Sequence, residues 1–238
     1  MTAPRCVILV PVGTSIDPAC DAGLAELERR GFTVRRVRGY SAIDSARNQM
    51  ATDALADGFD ELVWVDSDVV FQPDDLDALR SYGKPFDCGL YPKKGPREFA
   101  AAFLPGTQTV ALGSHGGLTP IHYCGFGFVY TRRAVYDAVR EHHKLPLLNT
   151  KFDKSLVPYF APFWTGQRDD ARYLPEDYAF CERARQAGHE VFADTRVRLW
   201  HVGSYRYGWE DAGSEKQRFD GYTFHLPAPQ TIPGDRPG

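Results

Sequence analysis

The chain lacks three things that would each have narrowed its role. It has no apolar run approaching the roughly 20 residues of a membrane-spanning helix, and its opening, "MTAPRCVILVPVG", is too short an apolar stretch for a secretory signal. It has no basic surplus: 28 Lys and Arg stand against 31 Asp and Glu, a formal charge of −3. That balance gives no electrostatic reason to expect DNA or RNA as partner. Its five cysteines, Cys6, Cys20, Cys88, Cys124 and Cys181, are odd in number and lack paired metal-type spacing. Buried free thiols in a reducing cytoplasm are expected.

What remains is an ordinary globular composition, 43% apolar and 25% charged in 238 residues, enough for one domain with a full core. "CVILVPV" is a continuous apolar run, as in a strand buried on both faces. "IDPACDAGLAELERRG" follows as a helix, with Asp17 as N-cap, Pro18 at the first helical position and Gly31 as stop. "FTVRRVRG" reads as a second strand. "AIDSARNQMATDALADG" reads as a helix with Ile43, Ala46, Met50 and Ala54 on its apolar face. "ELVWVDSD" is a third strand, and "PDDLDALRSYG" a short helix. Strand–helix–strand order predicts an α/β fold with a mixed, mostly parallel central sheet flanked by helices.

The second half is less regular. "FDCGLYPKKG", "REFAAAFL", "QTVALG" and "PIHYCGFGFVYTR" read as strands separated by Gly and Pro turns, "RAVYDAVREHH" and "EDYAFCERARQAG" as helices, and "EVFADTRVRLWHVG" as one or two late strands. Residues 144–173 read as a long loop rich in Pro and aromatics. We divide the chain into one domain over 1–203 and a C-terminal extension over 204–238, whose last dozen residues, with Pro227, Pro229, Pro233 and Pro237, read as disordered.

The third strand ends in "WVDSDVV", two carboxylates one residue apart. In open α/β sheets ligands bind beyond the carboxyl ends of the strands. Two acids this close disfavour joint ionisation unless a cation meets them. A divalent metal has the oxygen preference to do so and keeps positions open for phosphate oxygens. The competing reading is local: Asp68 caps a turn while Asp66 binds backbone amides.

Three segments together resemble GT-A-type nucleotide-sugar glycosyltransferases. "VWVDSDVVFQPDDL" resembles their D-x-D segment, "YLPEDYAFCERARQAGHEV" their later acidic pair opening a helix, and "LWHVG" the late strand whose histidine joins the metal shell. The resemblance spans roughly residues 5 to 205 and implies a Rossmann-like GT-A fold with 1–203 as the catalytic domain. It implies Mn²⁺ or Mg²⁺ bound by Asp66, Asp68 and His201, with Asp66 also near the ribose. It places the base and ribose at Pro11, Val12 and Gly13, and puts Ser67 and the segment Gly125, Phe126 and Gly127 against donor sugar or acceptor. It places Asp177, or failing that Glu176, as catalytic base. Arg47 and Lys93 are candidate partners of base or diphosphate, the alternatives being a surface arginine and a solvated turn lysine (Lys94 is weighed in the same way). His115, His122, His142, His143, His189 and His225 match no motif.

The implied activity is transfer of a sugar from a UDP- or GDP-sugar to a saccharide or other hydroxyl acceptor, with inverting and retaining outcomes both open. The Q-x-x-R-W segment of processive polysaccharide synthases is absent, which disfavours that branch. Two alternatives stand. A sugar-nucleotide nucleotidyltransferase would carry a basic, Gly-rich loop after the first strand, whereas "PVGTSIDP" has one Gly and no Lys. A non-catalytic carbohydrate-binding relative would have lost the metal residues, whereas Asp66, Asp68 and His201 are present. Aromatics such as Tyr159, Phe160, Phe163, Trp164, Tyr205, Tyr207 and Trp209 read either as a sugar platform or as a satellite hydrophobic cluster.

Overall fold

The computed structural model describes residues 4–152, 154–213 and 221–226. The first strand, β1 (Cys6–Pro11), feeds α1 (Pro18–Arg29), β2 (Thr33–Val37), α2 (Ile43–Ala56) and β3 (Glu61–Val65). Asp17 caps α1 as its spacing predicts, its Oδ1 accepting from Ala19 N at 2.9 Å and Cys20 N at 3.3 Å. Gly31, at φ +91°, supplies the left-handed residue that ends the turn. The two-residue β4 (Val69–Val70) and α3 (Asp74–Ser81) follow, then β5 (Phe86–Leu90), β6 (Ala101–Phe103), β7 (Thr109–Gly113), β8 (Leu118–Cys124) and β9 (Phe128–Arg132). The segment "PIHYCGFGFVYTR" thus divides into two strands at Gly125–Gly127. After α4 (Arg133–His143) come the hairpin β10 (Phe163–Thr165) and β11 (Arg172–Leu174), α5 (Glu176–Gln186), β12 (Val191–Arg198), β13 (Trp200–Val202), β14 (Arg206–Tyr207) and β15 (Gly221–His225).

The main sheet has eight strands in the order β2-β1-β3-β9-β5-β12-β8-β6. β9 and β8 run against the other six, so the sheet is mixed but mostly of one direction. Its faces alternate along each buried strand. Val7 and Leu9 of β1 point to the layer holding α2, α4 and α5, while Ile8 and Val10 point to α1 and α3. That two-sided burial is why β1 and β3 read as unbroken apolar runs. A second sheet, β14-β13-β4, folds over the carboxyl end of β3.

Residues 204–213 and 221–226 pack back on the body. Trp209 is buried and donates from Nε1 to Leu90 O at 3.2 Å, and β15 pairs antiparallel with β7. The expected disorder of the last dozen residues lies outside the described residues. The five cysteines are free and four of them are buried. No helix among the described residues is long and apolar enough to cross a membrane.

Helix α2 departs from the expected face. Ile43 is exposed, while Arg47, Asn48 and Gln49 are buried. The polar residues are buried because they hold the long loop: Asn48 Oδ1 accepts from Phe160 N at 2.6 Å, Gln49 Nε2 donates to Ser155 O at 3.1 Å, and Thr52 Oγ1 accepts from Val157 N at 2.9 Å.

Candidate active site

A cleft of about 610 Å³ opens where β1 and β3 end, within the range of small-molecule sites. It is lined by Pro11 and Gly13, by Asp66, Ser67 and Asp68, and by Glu176 and His201. The walls are joined by backbone: Asp17 N donates to Ser67 O at 2.8 Å, and Asp66 N to Gly127 O at 3.0 Å. Val12 is buried and lines a smaller adjoining pocket with Gly13 and Ile43.

Asp66 and Asp68 leave the strand end in different directions and meet different cations. Asp66 Oδ1 accepts from Arg47 Nη2 at 2.9 Å. That guanidinium is neither a surface group nor free: Arg47 is 2% exposed, packs over Trp64 and Phe126, and reaches Glu176 Oε1 from Nε at 3.6 Å. Nε is buried with no hydrogen-bond partner. Asp68 is somewhat more open; its Oδ2 accepts from Lys94 Nζ at 2.5 Å. Burial alone would raise the Asp68 carboxyl, but the neighbouring His201 in its protonated form and the Lys94 hydrogen bond outweigh it and hold the pKa down at about 2.

His201 arrives beside Asp68 through the β4–β13 ladder, in which His201 pairs with Val69 and Val202 N donates to Asp68 O at 2.7 Å. His201 Nδ1 lies 2.9 Å from Pro92 O. A carbonyl only accepts, so Nδ1 carries the proton. In the neutral ring Nε2 then offers a lone pair, 3.5 Å from Asp68 Oδ1. Two acceptors face one another there, and only a proton or a cation between them relieves the contact. A ligating histidine fixed by a backbone carbonyl at its other nitrogen is the usual support of a metal ligand. The oxygen–imidazole pair therefore fits a divalent ion taking two protein ligands and leaving positions for phosphate. Among the described residues no group of three or more His, Cys, Asp and Glu is arranged to hold a metal; Asp66, the third expected ligand, is engaged by Arg47.

Glu176 and Asp177 open α5 after Pro175. Asp177 is half-buried with Oδ1 accepting from Tyr178 N at 2.7 Å; burial and the neighbouring Glu176 raise its pKa to about 6. That suits a proton acceptor near neutral pH.

Other expected residues lie elsewhere. Lys93 pairs with Glu98 at 2.8 Å, and it is its neighbour Lys94 that turns to the site. Phe126 is a core residue against Trp64, Phe160 and Phe180. Gly125 and Gly127 make room for Tyr91: a Cβ would meet its hydroxyl oxygen at 2.5 Å or its ring Cζ at 2.6 Å. Tyr91 in turn stands edge-on to the His201 ring, 5.2 Å between centroids. The sequence held no signal for Tyr91, because its role exists only once β5, β8 and β13 come together.

No family model and no curated protein matches the chain. Among solved structures it is similar to A197 from STIV, at 16% identity over 84% of this chain and 86% of that one, with a TM-score of 0.53. Two further likenesses fall below a TM-score of 0.5 and carry no weight. One is an inositol-1-phosphate CTP transferase from T. maritima (11% identity, 84% and 90% covered, 0.38), the other a glycosyltransferase involved in glycosylation of the major capsid of PBCV-1 (13%, 63% and 72%, 0.34). The chain thus shares its α/β architecture with A197 from STIV.

Proposed function

We propose that the chain is a GT-A-type, metal-dependent glycosyltransferase that moves a sugar from a nucleoside-diphosphate sugar to an acceptor hydroxyl. One observation carries this: Asp68 and His201, remote in sequence, are brought face to face at the carboxyl rim of the sheet, with the histidine tautomer set for cation binding. In this reading the nucleoside lies against Pro11 and Gly13, and Arg47 holds Asp66 aimed at the ribose. Bound Mn²⁺ or Mg²⁺, held by Asp68 and His201, supplies Lewis-acid neutralisation of charge on the departing diphosphate. Lys94 adds an ammonium at the same rim.

Asp177 provides the proton acceptor. In an inverting reaction it takes the proton of the acceptor hydroxyl as the new bond forms at the anomeric carbon and the bond to the diphosphate oxygen breaks. In a retaining reaction it orients the acceptor instead. Its raised pKa leaves it ionised above about pH 6, the form both roles need.

A thermal-shift screen of UDP, GDP, CDP and ADP, each with and without Mn²⁺, tests the reading, since a ligand bound only by the native state raises the melting point. One diphosphate should stabilise the protein with Mn²⁺ and far less without it. If none does, the cleft is not a donor site.

A further inference from the structure

The β10–β11 hairpin stands directly before α5. Its cross-strand pairs are Phe163 with Leu174, Trp164 with Tyr173 and Thr165 with Arg172. Directly opposed residues share a face and successive ones alternate. Leu174 is buried and Phe163 sits beneath the Arg183 guanidinium at 4.6 Å, so that face docks on α5. Trp164 and Tyr173 take the other face, 76% and 70% exposed. Leaving such an aromatic pair in water is costly unless something covers it.

We propose that Trp164 and Tyr173 form a stacking platform for the pyranose rings of a saccharide acceptor. This rests on the glycosyltransferase reading and narrows its acceptor to a glycan. Position supports it: consecutive Cα atoms are 3.8 Å apart, so the Cα of Tyr173 lies within about 11 Å of that of Glu176, at the cleft wall. Size supports it too. Two aromatic side chains cover roughly 300–500 Å², short of the about 800 Å² per partner of a stable protein interface, yet ample for one or two sugar rings. Charge argues against a lipid surface, because the hairpin's Arg168 and Arg172 are balanced by Asp169 and Asp170, whereas anionic membranes select basic surfaces. A pyranose presents an apolar C–H face with hydroxyls at its edge. It therefore stacks on a ring while its rim bonds polar neighbours such as Gln167 and Asp169, both exposed here.

The molecule carries its own probe. Of four tryptophans, Trp64 and Trp209 are buried and Trp200 is half-buried, so Trp164 dominates the quenchable emission. Full-length protein would be titrated with maltohexaose, cellohexaose, chitohexaose and mannohexaose at millimolar concentration, and separately with phosphatidylglycerol vesicles, while acrylamide quenching is followed. Trp164→Phe identifies the signal, and nucleoside-diphosphate binding is measured in the same samples. At least one glycan should shield Trp164. Trp164→Ala and Tyr173→Ala should each weaken its binding about tenfold, the scale of one lost stacking contact, with nucleotide affinity unchanged. Shielding by no glycan, shielding by vesicles alone, or unchanged glycan affinity in both variants overturns the platform and leaves the donor reading standing. If no nucleoside diphosphate binds wild-type protein, the donor reading fails and takes the acceptor role with it.

Discussion

Two acidic pairs occupy neighbouring parts of one sheet and have opposite fates. Asp66 and Asp68 leave the end of β3, and each meets its own cation, Arg47 or Lys94. Asp87 and Asp194 lie within β5 and β12, both fully buried. Arg196 neutralises only Asp194, from Nη2 at 2.7 Å. Asp87 Oδ1 accepts from Cys88 N, but Oδ2 has no partner, and burial together with Asp194 raises its pKa to about 8. Carboxylates at a strand's exit can be kept charged by side chains arriving from several elements. A carboxylate inside the ladder without a cation of its own, as at Asp87, can be kept only by giving up charge.

The contrast is sharpest at Asp68. Asp68→Asn should abolish metal-dependent nucleotide binding while leaving the melting point of the free protein close to wild type; calorimetry with UDP or GDP and Mn²⁺ checks this, and undiminished binding would remove Asp68 from the ion. Asp177→Asn should spare that binding and lower turnover about 10²- to 10⁴-fold, the range of a lost general base. The wild-type rate should climb as pH passes about 6, because the carboxylate forms there.

Arg47→Met probes the exit pair from its buried side. It strands Asp66 and Glu176 without their shared cation, which should cost about 3–5 kcal/mol of stability by urea denaturation. A loss under 1 kcal/mol would make the guanidinium no more than a surface ion pair.

The interior pair gives an effect of the opposite sign. Native Asp87 keeps a proton that the unfolded chain releases near pH 4, so its contribution to stability declines from about pH 4 to 8 and is level above. The slope is at most about 1.4 kcal/mol per pH unit. Asp87→Asn should therefore gain on wild type between pH 5 and pH 8, read as denaturation midpoints at the two pH values. An equal difference at both would mean that Asp87 is ionised throughout.

Much of the fold was legible because its signals are local. The Asp17–Pro18 start and Gly31 stop of α1, and the two-sided apolar runs of β1 and β3, depend only on neighbouring residues. The acids of the site were legible for the same reason, as a break in an apolar pattern. What escaped depends on distant partners. The meeting of His201 with Asp68 was expected through the family resemblance alone, because the two-residue strand that brings them together is too short to leave a periodic trace. Lys93 and Lys94 look alike in sequence, and only the turn at the end of β5 separates the one facing Glu98 from the one facing Asp68. Arg47 sits among polar neighbours on α2, so nothing local foretold its burial; its partners Asp66, Phe126 and Glu176 come from three later parts of the chain.

That same stitching of α2 to residues 155–160 constrains how the long loop can move. With Asn48, Gln49 and Thr52 fastening the base of the loop, a hinge at its root would have to break three bonds at once, one buried and two partly buried. Residues 155–160 therefore travel with α2 as one piece, and whatever packs on that segment inherits the helix's position.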